Sequence, residues 1–176
     1  MGSLKQCFLF LGFVVLCFSF RKPAPAKVQW LSLQQVADSL KVNQKPVLID
    51  LYTEWCGWCK VMEKKTYANQ QVSDYIKKHF YPVKIDAESK SAISWNGKKY
   101  LFNPTYRTND FAMYLTNGQL SYPTTVIIPV GNGYPQAIPG YLEPKDFEMI
   151  LKYFGENKFG QVSFADYQRT FKSSWK

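Results

Sequence analysis

Apolar residues recur along this chain with two different periods, and the two alternate. Over 33–41 they return every three or four residues, which predicts a short helix. Ser32 stands at its cap position with Gln35 three residues on, the spacing of a capping box. The run 46–52 (PVLIDLY) is continuously apolar and β-prone, as in a buried strand. Residues 59–65 read as helix. Asn69 caps a further helix through His79, with Val72, Tyr75, Ile76 and Phe80 at helical spacing. A second strand follows at 81–86 (YPVKID). In 93–102 (ISWNGKKYLF), Asn96-Gly97 lies between aromatic-rich flanks and predicts a hairpin. A short helix from Asn109 or Asp110 to Leu115 precedes the β-branched strand 124–128 (TTVII), which starts directly after Tyr122-Pro123. After a turn at 131–133 comes a short strand at 136–138. Pro144 opens a helix to about Phe154, and Ser163 with Asp166 predicts a last capped helix to about Lys172. Strand–helix–strand followed by two neighbouring strands specifies an α/β fold, a central mixed sheet with helices on both faces.

The first twenty residues break this pattern. Lys5 precedes 7–20 (CFLFLGFVVLCFSF), an apolar run of 14 residues. A bilayer-spanning helix needs about 20. The run has the length of a signal-peptide core, and 24–26 (APA) has the form of a cleavage site. Arg21 and Lys22 directly after the core fit an uncleaved anchor as well. A lipid anchor at Cys17 is disfavoured by Leu16 before it and by the apolar chain after it. The expected organisation is a signal peptide or anchor over 1–26 and one domain over 27–176.

This division changes the composition. The chain has 176 residues, 46% hydrophobic and 17% aromatic, which excludes disorder as its main state. Removing Lys5, Arg21 and Lys22 takes the net charge from +9 to +6. The lysine pairs at 64–65, 77–78 and 98–99 are scattered, so the charge reads as a solvated surface and no nucleic acid is expected. Of the four cysteines, Cys7 and Cys17 leave with the segment. Cys56 and Cys59 remain.

Those two form Cys56-Gly57-Trp58-Cys59, between a buried strand and a helix. A helix N-terminus presents unpaired N–H groups and partial positive charge, which stabilise a thiolate. The thiolate is the nucleophile of disulfide exchange. Cys56, nearer the N-terminus, is expected to be the exposed attacker, and Cys59, one turn in, the more buried partner. Zinc is the first alternative, but it takes four ligands. No second Cys pair exists, and the single histidine, His79, reads as solvated, so no metal is expected. An inert structural disulfide is the second alternative, but so short a loop constrains little unfolded chain.

The stretch 48–60 (LIDLYTEWCGWCK) resembles the active-site segment of the thioredoxin superfamily. Residues 61–72 are similar to the thioredoxin-like domains of periplasmic thiol:disulfide interchange proteins of the transmembrane-reductant type. Tyr122-Pro123-Thr124 resembles the cis-proline segment of that superfamily. The resemblance covers about residues 28–155. It implies a thioredoxin-like three-layer fold with a C-terminal helix and an insertion at about 89–107. It implies an enzyme, a thiol–disulfide oxidoreductase of reducing type, with Cys56 as nucleophile, Cys59 as resolving thiol and Asp50 as the buried acid moving protons around Cys59. Burial raises a carboxyl's pKa, which suits that role. Trp55, Trp58, Tyr122, Pro123 and Thr124 would line the substrate groove, although for Trp55 partial packing fits equally well. Glu54 and Lys60 are expected on the solvated surface. No cofactor beyond the redox-active Cys56–Cys59 disulfide is implied.

The implied partners are protein disulfides, among them cytochrome c precursors, and a membrane electron donor. The implied location is exported and periplasmic, with membrane contact only through an uncleaved N-terminal segment. Trp58 stands where thioredoxin has proline, and neither residue between the cysteines is the histidine of strongly oxidising relatives, which leans towards a reductant. The insertion's Trp95, Tyr100, Phe102 and Tyr106 either dock partners or cover the core, and core cover is favoured. A binding module gripping partners through the proline groove and the hairpin, with little turnover, is the alternative function.

Overall fold

A computed structural model describes residues 27–131 and 133–175. The expected signal segment, with Cys7 and Cys17, and Asn132 of the 131–133 turn lie outside the described residues.

The central sheet has the order β2–β1–β7–β8. Strand β1 (Val47–Tyr52) pairs parallel with β2 (Tyr81–Asp86) and antiparallel with β7 (Thr124–Ile128). β8 (Gln136–Pro139) pairs antiparallel with β7 at the edge. The sheet is mixed because the β1–β2 connection crosses over through helices, whereas β7 and β8 are joined by a short turn.

Alternation along β1 feeds two cores. Val47, Ile49 and Leu51 face one side, with α1 (Leu33–Val42) and α4 (Asp110–Thr116), where Val36, Phe111 and Leu115 are buried. Leu48 faces the other side, with Met62, Val72, Ile76, Phe147 and Leu151. These come from α2 (Gly57–Met62), α3 (Gln70–His79) and α5 (Pro144–Gly155).

The capping signals act as read. Ser32 and Gln35 form a capping box on α1, Asn69 caps α3, and Pro144 opens α5. One helix departs from expectation. The segment expected over 59–65 is α2 followed by a single π turn, Glu63–Tyr67. That turn fits one extra residue before Asn69 restarts the chain as α3. The last helix, α6 (Phe164–Thr170), ends two residues short of Lys172, and none of its residues is buried.

The insertion is two ribbons rather than one hairpin. β3 (Ile93–Trp95) and β4 (Lys98–Tyr100) pair across Asn96-Gly97, whose φ angles of 47° and 74° make the tight turn. Phe102 belongs instead to β5 (Phe102–Asn103), which pairs with β6 (Thr108–Asn109). Trp95 and Tyr100 are buried with ring centroids 6.3 and 5.1 Å from that of Phe111, so the hairpin covers the core. Tyr106 is exposed. Asn109 fastens the insertion: its Oδ1 caps α4, and its Nδ2 donates to the carbonyls of Ser89 and Ser91. No described helix is long and apolar enough to cross a membrane.

Candidate active site

β1 ends in a turn in which the Cys56 N–H donates to the Thr53 carbonyl at 3.1 Å. Cys56 is the N-cap of α2: its backbone is extended, and its Sγ accepts the Cys59 N–H at 3.0 Å. The two sulfurs form a disulfide, with Cα atoms 5.3 Å apart. The expectation that Cys56 is exposed and Cys59 more buried is not met. Cys56 is 4% exposed and Cys59 7%. In the oxidised form the Cys56 sulfur is turned back over the first turn of α2, onto Cys59 and its N–H.

The peptide bond Tyr122–Pro123 is cis. Pro123 is buried, and its carbonyl accepts the Gly140 N–H at 2.8 Å, which ties it to the loop after β8. Thr124 is buried, with its hydroxyl donated to the Ser121 carbonyl at 2.7 Å. Its side chain therefore holds the loop and does not reach the surface, so any part of Thr124 in the groove would be its backbone. Tyr122 is half-buried.

Trp55 and Trp58 flank the cysteines and are 66% and 62% exposed. Trp55 lies edge-on to Tyr122, centroids 5.9 Å apart, and its Nε1 donates to Glu88 at 3.1 Å. Trp58 lies 5.5 Å from Tyr141. Two aromatic pairs thus border the buried disulfide. Each joins the cysteine segment to the chain around β7 and β8. Tyr141 escaped sequence reasoning because only the β7–β8 return brings it to Trp58. Glu54 and Lys60 are exposed, as expected.

Asp50 is 3% exposed. It lies opposite Lys84 across β1–β2 and opposite Thr125 across β1–β7. Burial pushes its carboxyl up to about 7; Lys84 opposes the rise and Glu63 adds to it. Lys84 and Glu63 are themselves paired at 2.6 Å. Neither was singled out in the sequence. The signal was available in Lys84, a charge between Val83 and Ile85 in a strand, which alternation places on Asp50's face. Glu63 also lines a groove of about 500 Å³ along α2, with Val28, Trp30, Lys60, Lys64 and Tyr67.

His79 is not solvated as expected. It is half-buried and stacked 4.2 Å from Tyr75, and burial lowers its pKa. Among the described residues, no group of three or more His, Cys, Asp or Glu could hold a metal ion.

The arrangement can support disulfide exchange: a sulfur pair at a helix N-terminus, a cis-proline loop and a buried acid that titrates near neutrality. Comparison with known proteins gives the same family. The family model for a thioredoxin-like domain matches residues 33–155. Thioredoxin of Borreliella burgdorferi is 31% identical over 118 residues, spanning 64% of this chain and 75% of its own. The thiol:disulfide interchange protein DsbD of Yersinia enterocolitica is 37% identical over 54 residues, 27% of this chain. The match spans only 8 or 9% of the length of DsbD and of several other curated relatives. A solved structure, DsbH oxidoreductase, superposes with a TM-score of 0.54 at 14% identity, covering 78% of this chain and 93% of its own. The chain belongs to the thioredoxin-like domain family, with its Cys56–Cys59 pair in the C-x-x-C spacing of thiol–disulfide oxidoreductases.

Proposed function

We propose that the protein is an exported thiol–disulfide oxidoreductase working as a disulfide reductase. The observation that carries this reading is the position of Cys56, whose sulfur caps α2 and accepts the Cys59 N–H at 3.0 Å. A thiolate formed there keeps that donor and faces the positive end of the helix.

In the reduced protein the Cys56 thiolate attacks one sulfur of a substrate disulfide. A Cys56–substrate disulfide forms, the substrate S–S bond breaks, and the second substrate sulfur leaves as a thiolate that takes a proton. The Cys59 thiol then passes its proton to Asp50, which is about half ionised near neutrality. The Cys59 thiolate attacks Cys56 Sγ, closes the Cys56–Cys59 disulfide and releases the second substrate thiol. Two electrons have passed to the substrate. An external dithiol, supplied in this reading by a membrane donor, restores the pair. Pro123 and Tyr122 border the substrate's path. No backbone hydrogen bond from a described residue engages the Tyr122 N–H or carbonyl, which are left for an extended substrate chain.

Export rests on the N-terminal apolar run. The reducing direction rests on the absence of a histidine between the cysteines. DsbD, by its name a thiol:disulfide interchange protein, supports protein disulfides as substrates. Cytochrome c precursors stay among the substrates this reading includes. The binding-module alternative loses part of its surface, because Trp95 and Tyr100 of the hairpin are buried.

The test is insulin reduction by dithiothreitol with wild type and Cys56→Ser. Acceleration by wild type alone is the expected result, and equal rates overturn the enzyme. A reduction potential near about −270 mV supports the reducing direction, and one near about −120 mV reverses it.

A further inference from the structure

Of the buried phenols, Tyr67 is the one whose hydroxyl meets a residue paired with Asp50. Tyr67 closes the π turn and is 2% exposed. Its ring sits edge-on to Trp30 and Phe147, with centroids 5.0 and 5.9 Å away. Its hydroxyl lies 3.4 Å from Thr125 Oγ1, and either atom can be the donor. Thr125 is fully buried and pairs directly with Asp50 in the β1–β7 register. Side chains so opposed leave the sheet on the same face, with Cβ atoms about 4.5–5.5 Å apart. Asp50, Thr125 and Tyr67 are therefore adjoining polar groups beside an apolar cluster of Leu48, Met62 and Phe147.

No hydrogen bond from a described residue reaches the Asp50 carboxyl. The carboxyl is nearly enclosed, at 3% exposure, and when ionised it is stabilised by a donor placed beside it. Thr125 has one hydroxyl proton and two lone pairs. When Tyr67 donates to Thr125, the threonine proton is left for a carboxylate. When Asp50 is protonated, the same three groups can bond in the reverse order. Burial and the nearby Asp50 hold the Tyr67 phenol well above its ordinary range, so it keeps its proton throughout.

We propose that Tyr67 is a positioning residue for Asp50, acting through Thr125: it orients the threonine hydroxyl towards the carboxyl and reverses with it as Asp50 gains and loses its proton. This rests on the reading of Asp50 as the acid that serves Cys59. The other charged or titratable groups around Asp50 are Tyr52 two residues along β1, Lys84 on β2 and Glu63 on the π turn, with Cys56 at the cap of α2 and Cys59 in its first turn beyond the strand end. Lys84 donates to Glu63, the acceptor of that pair, and no bond runs from Lys84 to Asp50 among the described residues.

The experiment is a ¹³C NMR titration of the Asp50 carboxyl in the oxidised protein, with the signal assigned by its loss in Asp50→Asn. Tyr67→Phe and Thr125→Val are each expected to raise the midpoint by about one pH unit, the scale of one lost hydrogen bond to a charged group. The double variant should move no further than the larger single shift, and Thr125→Ser should retain the wild-type midpoint. A Tyr67 that served packing alone would change thermal stability and leave the titration where it was. An unmoved midpoint in folded Tyr67→Phe overturns the proposal, and this isosteric variant decides alone if Thr125→Val does not fold. Failure of wild type to reduce insulin would strike the reductase reading instead, and the titration does not depend on turnover.

Discussion

Lys84 stands directly across the parallel β1–β2 pair from Asp50, yet its ammonium is bound by Glu63 at 2.6 Å. A lysine free to pair with Asp50 would hold that acid ionised at every working pH. With Glu63 taking the ammonium, burial prevails and the carboxyl titrates near 7.

Removing either member of this pair should therefore move Asp50 in opposite directions. Glu63→Gln removes a like charge and should shift the Asp50 midpoint to lower pH. Lys84→Met removes the opposing charge and should shift it higher. Each shift should be about one pH unit, the size of a partly screened charge several ångströms away. The alkaline rise of insulin reduction against pH measures both. Shifts of the same sign would refute the account.

Asp50 should also weaken the fold. Its folded pKa of about 7 lies above the ordinary aspartate value of about 3.9. The folded state therefore binds the proton more tightly, and stability falls as pH rises between those two values. Asp50→Asn should be nearly neutral at pH 4. At pH 8 it should stabilise the oxidised protein by up to about 4 kcal/mol. Urea unfolding at the two pH values gives the comparison, and equal effects at both would contradict the burial of a charged carboxyl.

The parts of this protein that local pattern encodes were legible in its sequence. The buried run before Cys56, the Asn96-Gly97 turn and the Ser32 and Asn69 caps each depend on neighbours within a few residues. So does the C-x-x-C spacing. What escaped notice depends on contacts distant in sequence. Tyr141 meets Trp58 only because β8 returns beside β7, and Tyr67 meets Thr125 across 58 positions. The burial of Cys56 departs from expectation because a place at a helix N-terminus does not entail exposure: the oxidised sulfur folds back over its own first turn. The π turn left no readable mark, since one added residue shifts the apolar period too little to detect over a single turn.

The C-terminal segment should be a pH-dependent part of the fold. Glu148 on α5 has a fully buried side chain that accepts bonds from the Lys152 ammonium, the Ser173 and Ser174 hydroxyls and the N–H groups of Ser174 and Trp175. Burial pushes its carboxyl up, but these bonds outweigh burial and hold it at about 2. A lowered acid contributes stability above its unfolded value of about 4.3, and that contribution is lost as pH falls through 2. Deleting residues 173–176 leaves the charge with Lys152 alone. It should cost about 2–4 kcal/mol at pH 7, by the scale of lost bonds to a buried charge. The cost should shrink towards pH 2. A cost independent of pH would mean that the segment contributes by packing alone.

The aromatic pairs should separate large substrates from small ones. Both sulfurs are nearly closed to solvent, whereas Trp58 and its partner Tyr141 sit at the surface beside them. On the proposed function a protein substrate would lie across these rings to bring a disulfide to Cys56, and an aromatic contact contributes about 0.5–1.5 kcal/mol beyond its area. Trp58→Ala and Tyr141→Ala should each raise KM for a protein disulfide by about 2- to 10-fold, with kcat little changed. A small disulfide such as oxidised glutathione makes no such contact. It should react with either variant at least as fast as with wild type, because removing a bordering ring opens the approach to Cys56. Steady-state kinetics with both substrates, at one pH and one concentration of reductant, supply the test. Parallel losses on the two substrates would show that the rings act on the disulfide itself, and the substrate-groove assignment of Trp58 would fall.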